Sequence, residues 1–229
     1  AQACDPGRHP LCRSALLRTG PQSHLWFLQA HHIALDGFGY GLLQQAVATR
    51  HAERLAGRVP SPLPDWRMDR VLAAEDDYLA DGRFAADRVF WGERLCRVPP
   101  PAQLGPWHGP SDTPLRHALA LGPDEVAALQ ASARACGVDW AAWLLAAAGL
   151  WLGRLSGQRE LCLGLPVLNR LGTPAMGVPC MAMNLLPWQV HLRPGAGLGD
   201  TLREAAAQLR AIRPHQAYRQ AWMLGDLGR

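Results

Sequence analysis

His31-His32-Ile33-Ala34-Leu35-Asp36-Gly37 brings two imidazoles, a carboxylate and a glycine together within seven residues. A neutral imidazole can take a proton from an attacking nucleophile, and a carboxylate four residues on can hold the local backbone in place. The pattern has the form HHxxxDG. Two other readings apply to the same residues. Asp36 is suited to cap a helix, since aspartate favours the N-cap. His32 and Asp36 could also share a helical face and ligate zinc or iron with a third group. No convincing third ligand appears, so no metal site is expected. The full pattern, placed after an apolar strand and before a helix, favours catalysis over capping alone.

The elements that must position these residues can be read from the flanking sequence. Arg13–Arg18 and His24–His31 are short apolar stretches on either side of Gly20-Pro21-Gln22-Ser23, which reads as strand, turn and strand with the histidines at the end. From Gly37 to Ala56 the apolar residues Leu42, Leu43, Ala46 and Val47 give a helical pattern that stops at Gly57. The motif therefore bridges a strand and a helix, where α/β enzymes commonly place chemistry. A proline-rich link, Val59–Pro64, leads to helices at about Trp66–Ala80 and Phe84–Leu95. A second proline-rich loop runs from Arg97 to about Thr113, resists helix and sheet alike, and divides the chain into residues 1–110 and 111–229.

The second part predicts a strand at Leu115–Leu121 and a helix from Pro123 to a stop at Gly137. Asp139 then caps a helix over Trp140–Leu155 that is apolar on nearly every face, as suits a central buried helix. Strands are expected at Glu160–Leu165 and Asn184–Leu192. Leu198, Leu202, Ala205, Leu209 and Ile212 mark an amphipathic helix that Pro214 ends. This order of elements points to an α/β fold.

Composition narrows the function classes. The chain has 229 residues, 48% of them apolar, enough to bury a real core. All 23 basic residues are arginine and the net charge is +4; no basic residue sits in a run of three, so nucleic acid is not indicated as a partner. The cysteines Cys4, Cys12, Cys96, Cys136, Cys162 and Cys180 form no CxxC pair, which signals neither zinc nor a disulfide framework and suits a reducing cytoplasm. The longest apolar run, Trp140 to Leu152, is shorter than the ~18 residues of a membrane span. Ala1–Pro10 is no signal peptide. A soluble, cytoplasmic protein without a membrane partner is expected.

The heptapeptide resembles the third core motif of condensation domains from nonribosomal peptide synthetases. Asp76-Asp77-Tyr78 and Phe90-Trp91-Gly92-Glu93-Arg94-Leu95 resemble the family's aspartate–tyrosine segment and its later aromatic–Trp pair. Gly164-Leu165-Pro166-Val167-Leu168-Asn169-Arg170 resembles its strand of glycine, proline and arginine. Gly177 through Asn184-Leu185-Leu186-Pro187 resembles the fifth core motif, and His215-Gln216-Ala217-Tyr218 the sixth. Within the family, the stretch from Trp151-Leu152-Gly153-Arg154-Leu155 through Pro214-His215-Gln216 is most similar to the enterobactin type, which joins an aryl acid to serine. Ala217 stands where many members carry an acidic residue, and Asn169 where glycine is frequent. A complete domain of this family is about twice as long, so the resemblance implies an internal fragment: the end of an N-lobe carrying the motif, then the start of a C-lobe.

The resemblance implies a two-lobed fold similar to chloramphenicol acetyltransferase. It also implies amide formation between a donor thioester and the α-amine of an acceptor aminoacyl thioester. Both substrates would ride on phosphopantetheine arms of donor and acceptor carrier proteins, beside an adenylation domain, and no cofactor would bind the chain directly. An α-amine of pKa about 7.7–8.0 is already ~10% neutral at pH 7, so positioning should matter more than a strong base. His32, ahead of His31, would accept the proton or hydrogen-bond the amine. Asp36 would hold the loop through an ion pair with Arg170, and Gly37 would allow close approach or an unusual φ. Asn184 and Trp188 could line a substrate tunnel or simply pack as strand residues. Epimerisation, another HHxxxDG acyl transfer, or a noncatalytic carrier-binding module are the alternatives. Heterocyclisation is disfavoured, because that family replaces the histidines with aspartates.

Overall fold

The computed structural model describes residues 5–99, 102, 104–106, 109 and 115–228. Packing groups the chain into two compact units, Ala1–Ala86 with Val167–Asn184 and Asp87–Pro166 with Leu185–Arg229. The sequence reading instead divides the chain at residue 110. Proline density marks where the chain is irregular, whereas the units are set by which distant segments pack together, and 167–184 returns to the first.

In the first unit, β1 (Cys12–Gly20) and β2 (Ser23–Ala30) form an antiparallel hairpin in which Cys12 faces Ala30 and Leu16 faces Trp26. The register slips between Arg18 and Gly20, at the tight turn. The Trp26 indole donates across the strands to Ser14 Oγ at 2.9 Å. α1 (Gly37–Leu55) follows, and the Tyr40 hydroxyl donates to the Leu28 carbonyl at 2.5 Å, pinning the first turn of the helix to β2. The end of α1 is tied to the proline-rich link through Glu53, whose carboxylate accepts from the Ser61 N–H at 2.8 Å and hydroxyl at 2.6 Å. α2 (Met68–Ala80) starts two residues later than expected because Arg67 is extended and supplies no capping side chain. The returning segment carries a single 3-10 turn, Pro174–Gly177, whose Ala175 is buried with Val178 and Cys180 against Val71 of α2.

The second unit contains α4 (Pro123–Ala135), α5 (Trp140–Ser156), α6 (Leu198–Ile212), the short α7 (Gln220–Asp226), and most of α3 (Arg83–Leu95) and of the paired strands β3 (Glu160–Val167) and β4 (Asn184–His191). Asp139 caps α5 by accepting from the Ala142 N–H at 2.8 Å. α5 is not buried all round. Its small residues Ala142, Ala146, Gly149 and Gly153 form the buried face, while Trp140, Leu144, Trp151 and Leu155 are exposed. The small face lets β4 and the residue after it come close: a Cβ on Gly149 would lie 3.3 Å from Val190 Cγ2, and one on Gly153 would clash with Leu192 Cδ1. No single helix among the described residues is long and apolar enough to cross a membrane.

Residues 115–121 form no strand. The spacing of Leu115, Leu119 and Leu121 suggests one, but a strand exists only through its ladder partner, and all three side chains are exposed without one. Further along, two segments singled out in the sequence meet. Trp91, 1% exposed, donates through its indole to the His215 carbonyl at 3.0 Å. His215 stacks on Phe90 with centroids 3.7 Å apart and pairs through Nδ1 with Asp87 Oδ1 at 2.6 Å. The buried Tyr218 donates to Asp226, which also holds Arg88 at 2.6 Å. Burial, and the Asp226 carboxylate that accepts its hydrogen bond, push the Tyr218 phenol up to about 12. Of these residues Asp87, Trp91 and Tyr218 are buried in the second unit.

Candidate active site

The first unit places the heptapeptide at the end of β2, where Ala30 closes the strand and His31 N–H still donates to the Leu11 carbonyl at 2.7 Å. The chain then turns tightly, with the N–H groups of Ala34 and Leu35 donating back to the His31 carbonyl at 2.9 and 3.4 Å. His31 Nδ1 accepts from the Ile33 N–H at 3.1 Å, so in the neutral ring the proton sits on Nε2. His31 is half-buried and acts as a staple inside the turn. His32 is exposed, and its ring makes no hydrogen bond among the described residues. The turn thus presents one imidazole and uses the other to hold itself.

Asp36 ends the turn and begins α1. It is 3% exposed, and its carboxylate accepts four hydrogen bonds. Oδ1 accepts from the Gly39 N–H and from Arg170 Nη2, both at 2.8 Å, and Oδ2 from the N–H groups of Ala182 and Met183, both at 3.0 Å. Arg170 is wholly buried. Its Nη1 donates to the carbonyls of Ala175 and Val178, its Nη2 also donates to the Cys180 carbonyl at 2.6 Å, and its guanidinium lies 5.1 Å from the centre of the Phe38 ring. One arginine therefore ties the returning segment to the first turn of α1. The N-cap role read from the sequence and the ion pair implied by the resemblance are performed by the same carboxylate.

Burial would raise the Asp36 carboxyl, but the bonds from Gly39, Ala182, Arg170 and Met183 outweigh it and hold the group below the ordinary value of 3.8. A depressed folded-state pKa contributes stability that is fully present above the unfolded value and disappears as pH falls through the folded one. The wild-type chain should therefore lose this increment as pH drops below 3.8. Urea midpoints of wild type and Asp36→Asn, measured from about pH 6 down to about pH 2, should converge on acidification; a constant gap would contradict it.

The profile described as Condensation domain matches residues 3–229. The chain belongs to the condensation domain family of nonribosomal peptide synthetases. The condensation-domain chain is 37% identical over 235 residues to Isonitrile lipopeptide synthase of Streptomyces coeruleorubidus, covering 99% of itself and 16% of that protein. It is 28% identical to Enterobactin synthase component F of Escherichia coli (strain K12), covering 98% of itself and 18% of that protein. The first condensation domain of the calcium-dependent antibiotic synthetase, solved in complex with a substrate analogue, superposes with a TM-score of 0.84 at 28% identity, over 96% of this chain and 49% of that one. The mixed α/β fold is thus a condensation-domain fold. The chain spans about half the length of that structure and less than a fifth of these curated relatives.

Within this condensation domain, other expected site residues fall differently. A Cβ on Gly37 would meet nothing within 4 Å, and its φ is not left-handed, so neither close approach within the chain nor an unusual φ explains that glycine. The left-handed residue is Asn169, at φ 49, just before Arg170. Asparagine tolerates that region better than other side chains, which fits a position where the family often has glycine. Trp188 is 1% exposed and Asn184 7%. They alternate with half-buried neighbours along β4, on the same face as Leu186 and Val190, and the Trp188 ring lies near α5 at Gly149. Trp188 packs in the core as a strand residue. The main-chain donors Ala182 and Met183 were missed in the sequence, since a backbone N–H carries no side-chain signal. Among the described residues, no group of His, Cys, Asp and Glu could hold a metal.

Proposed function

We propose that this condensation domain joins a carrier-bound donor acyl or aryl thioester to the α-amine of a carrier-bound acceptor aminoacyl thioester. The amine nitrogen attacks the thioester carbonyl carbon, the new C–N bond forms, the C–S bond breaks, and the amine proton passes to His32 and then to the departing thiolate. Asp36 and Arg170 keep the turn in place and do not move protons. The observation that carries this reading is the contrast between an exposed, unengaged His32 and a carboxylate four residues on that is fully bonded and buried. The phosphopantetheine arms of the donor and acceptor carrier proteins supply the thioesters, so the domain itself needs no bound cofactor. An adenylation domain next to it would load the acceptor carrier. The thiols of Cys12, Cys96, Cys136, Cys162 and Cys180 are free, which favours a reducing cytoplasm as the setting.

An aryl donor and serine acceptor, as in siderophore assembly, are the narrower form of the proposal, supported by similarity to Enterobactin synthase component F. The test is the intact synthetase incubated with loaded donor and acceptor carriers, with the acceptor arm analysed by mass. An amide of donor plus acceptor mass supports condensation. Exchange of the acceptor's α-hydrogen for deuterium with no gain of donor mass would assign epimerisation, and neither change would assign a noncatalytic carrier-binding role.

A further inference from the structure

We propose that Gly39, two residues beyond the heptapeptide, is a positioning residue for His32, because its missing side chain leaves the space that the Cys180 main chain occupies. This deepens the reading above and rests on it. A Cβ on Gly39 would lie 2.7 Å from the Cys180 carbonyl oxygen, 2.9 Å from its nitrogen and 3.2 Å from Arg170 Nη2. Two of these three atoms are main chain and cannot rotate away. Gly39 is buried, and its φ is not left-handed, so the requirement is for space and not for conformation. Gly41, one half-turn further along α1, has nothing within 4 Å.

The displaced atoms belong to the clasp on Asp36. The Cys180 carbonyl accepts from the Asp36 N–H at 3.3 Å and from Arg170 Nη2 at 2.6 Å. Two and three residues on, the N–H groups of Ala182 and Met183 hold Asp36 Oδ2. A side chain at 39 pushes this segment away from the start of α1, so Asp36 loses main-chain partners on both its N–H and its carboxylate. Asp36 is also the end of the turn that presents His32. Misplacing a catalytic group by about 1 Å can lower the rate about 100-fold.

The test compares Gly39→Ala, Gly41→Ala and His32→Ala in the intact synthetase, with kcat expressed per folded molecule at low temperature and KM measured for the acceptor carrier. Gly39→Ala should lower kcat at least about tenfold with KM within about twofold, and Gly41→Ala should match wild type. A purely structural glycine would lower the yield or melting temperature while leaving kcat per folded molecule unchanged; that result, or a change in KM alone, overturns the proposal. Ala182→Pro, which removes one N–H from Asp36 without adding bulk at 39, should reproduce the kcat loss if Gly39→Ala does not fold, and wild-type kcat there overturns it too. An inactive His32→Ala beside a fully active Gly39→Ala rejects only the role of Gly39. An active His32→Ala rejects the underlying reading of the site.

Discussion

Asp36→Asn should destabilise the condensation domain by ~3–5 kcal/mol, the usual cost of removing one partner from a buried ion pair. The amide has nearly the same shape as the carboxylate, so packing is not the issue. All four partners of Asp36 are donors: the N–H groups of Gly39, Ala182 and Met183, and Arg170 Nη2. Whichever way the new NH2 points, it faces two of them, and two hydrogen bonds become donor–donor contacts. Arg170, with no exposure, is left as a buried charge whose counter-ion has gone. For a chain of this size the loss corresponds to a fall of about 6–20 °C in the melting temperature of the affected unit.

Arg170→Ala should cost a similar amount, and the two substitutions together should cost clearly less than their sum, because each removes the same pair. Arg170→Lys should not restore stability. The guanidinium reaches Asp36 and the carbonyls of Ala175, Val178 and Cys180 from two separate nitrogens, whereas an ammonium donates from a single point. Differential scanning calorimetry or urea denaturation of the four proteins measures these terms. A loss below about 1 kcal/mol for Asp36→Asn would place the pair among ordinary surface bridges and remove its role as the clasp of the turn.

Much of this site is legible in the sequence, and the missed parts share a cause. The turn between β2 and α1 follows from local signals: a short apolar stretch in His24–His31 after a Gly-Pro turn, an N-capping aspartate at 36, and an apolar helical face from Leu42 onward. The span of α6, Leu198–Ile212, follows equally from its apolar repeat. The partnership of Asp36 with Arg170 was reached through resemblance, since nothing local links two residues so far apart in the chain. The seat of Cys180 on Gly39, and the Ala182 and Met183 donors, depend on main-chain atoms that leave no trace in residue type. Leu115–Leu121 failed for the opposite reason, because it has the alternation of a strand and lacks a partner. α5 misled in a third way: with apolar residues on every side, periodicity could not show that only its alanine and glycine face is buried.

His32→Ala should abolish condensation while leaving the fold intact. The side chain is exposed and bonds to nothing described in the chain, so its removal costs the folded state little. If the imidazole accepts the amine proton as the tetrahedral adduct forms, its loss should lower turnover by about 10²–10⁴-fold. His31→Ala should behave differently. It removes the acceptor for the Ile33 N–H, so it should lower both stability and turnover by loosening the turn. The most direct measurement is the rate of amide product formed by the intact synthetase carrying His32→Ala, with loaded donor and acceptor carriers and its melting temperature recorded alongside. A loss of at least about 100-fold at unchanged melting temperature is the predicted result. Product formation near the wild-type rate would contradict a catalytic role for the histidine that the turn presents.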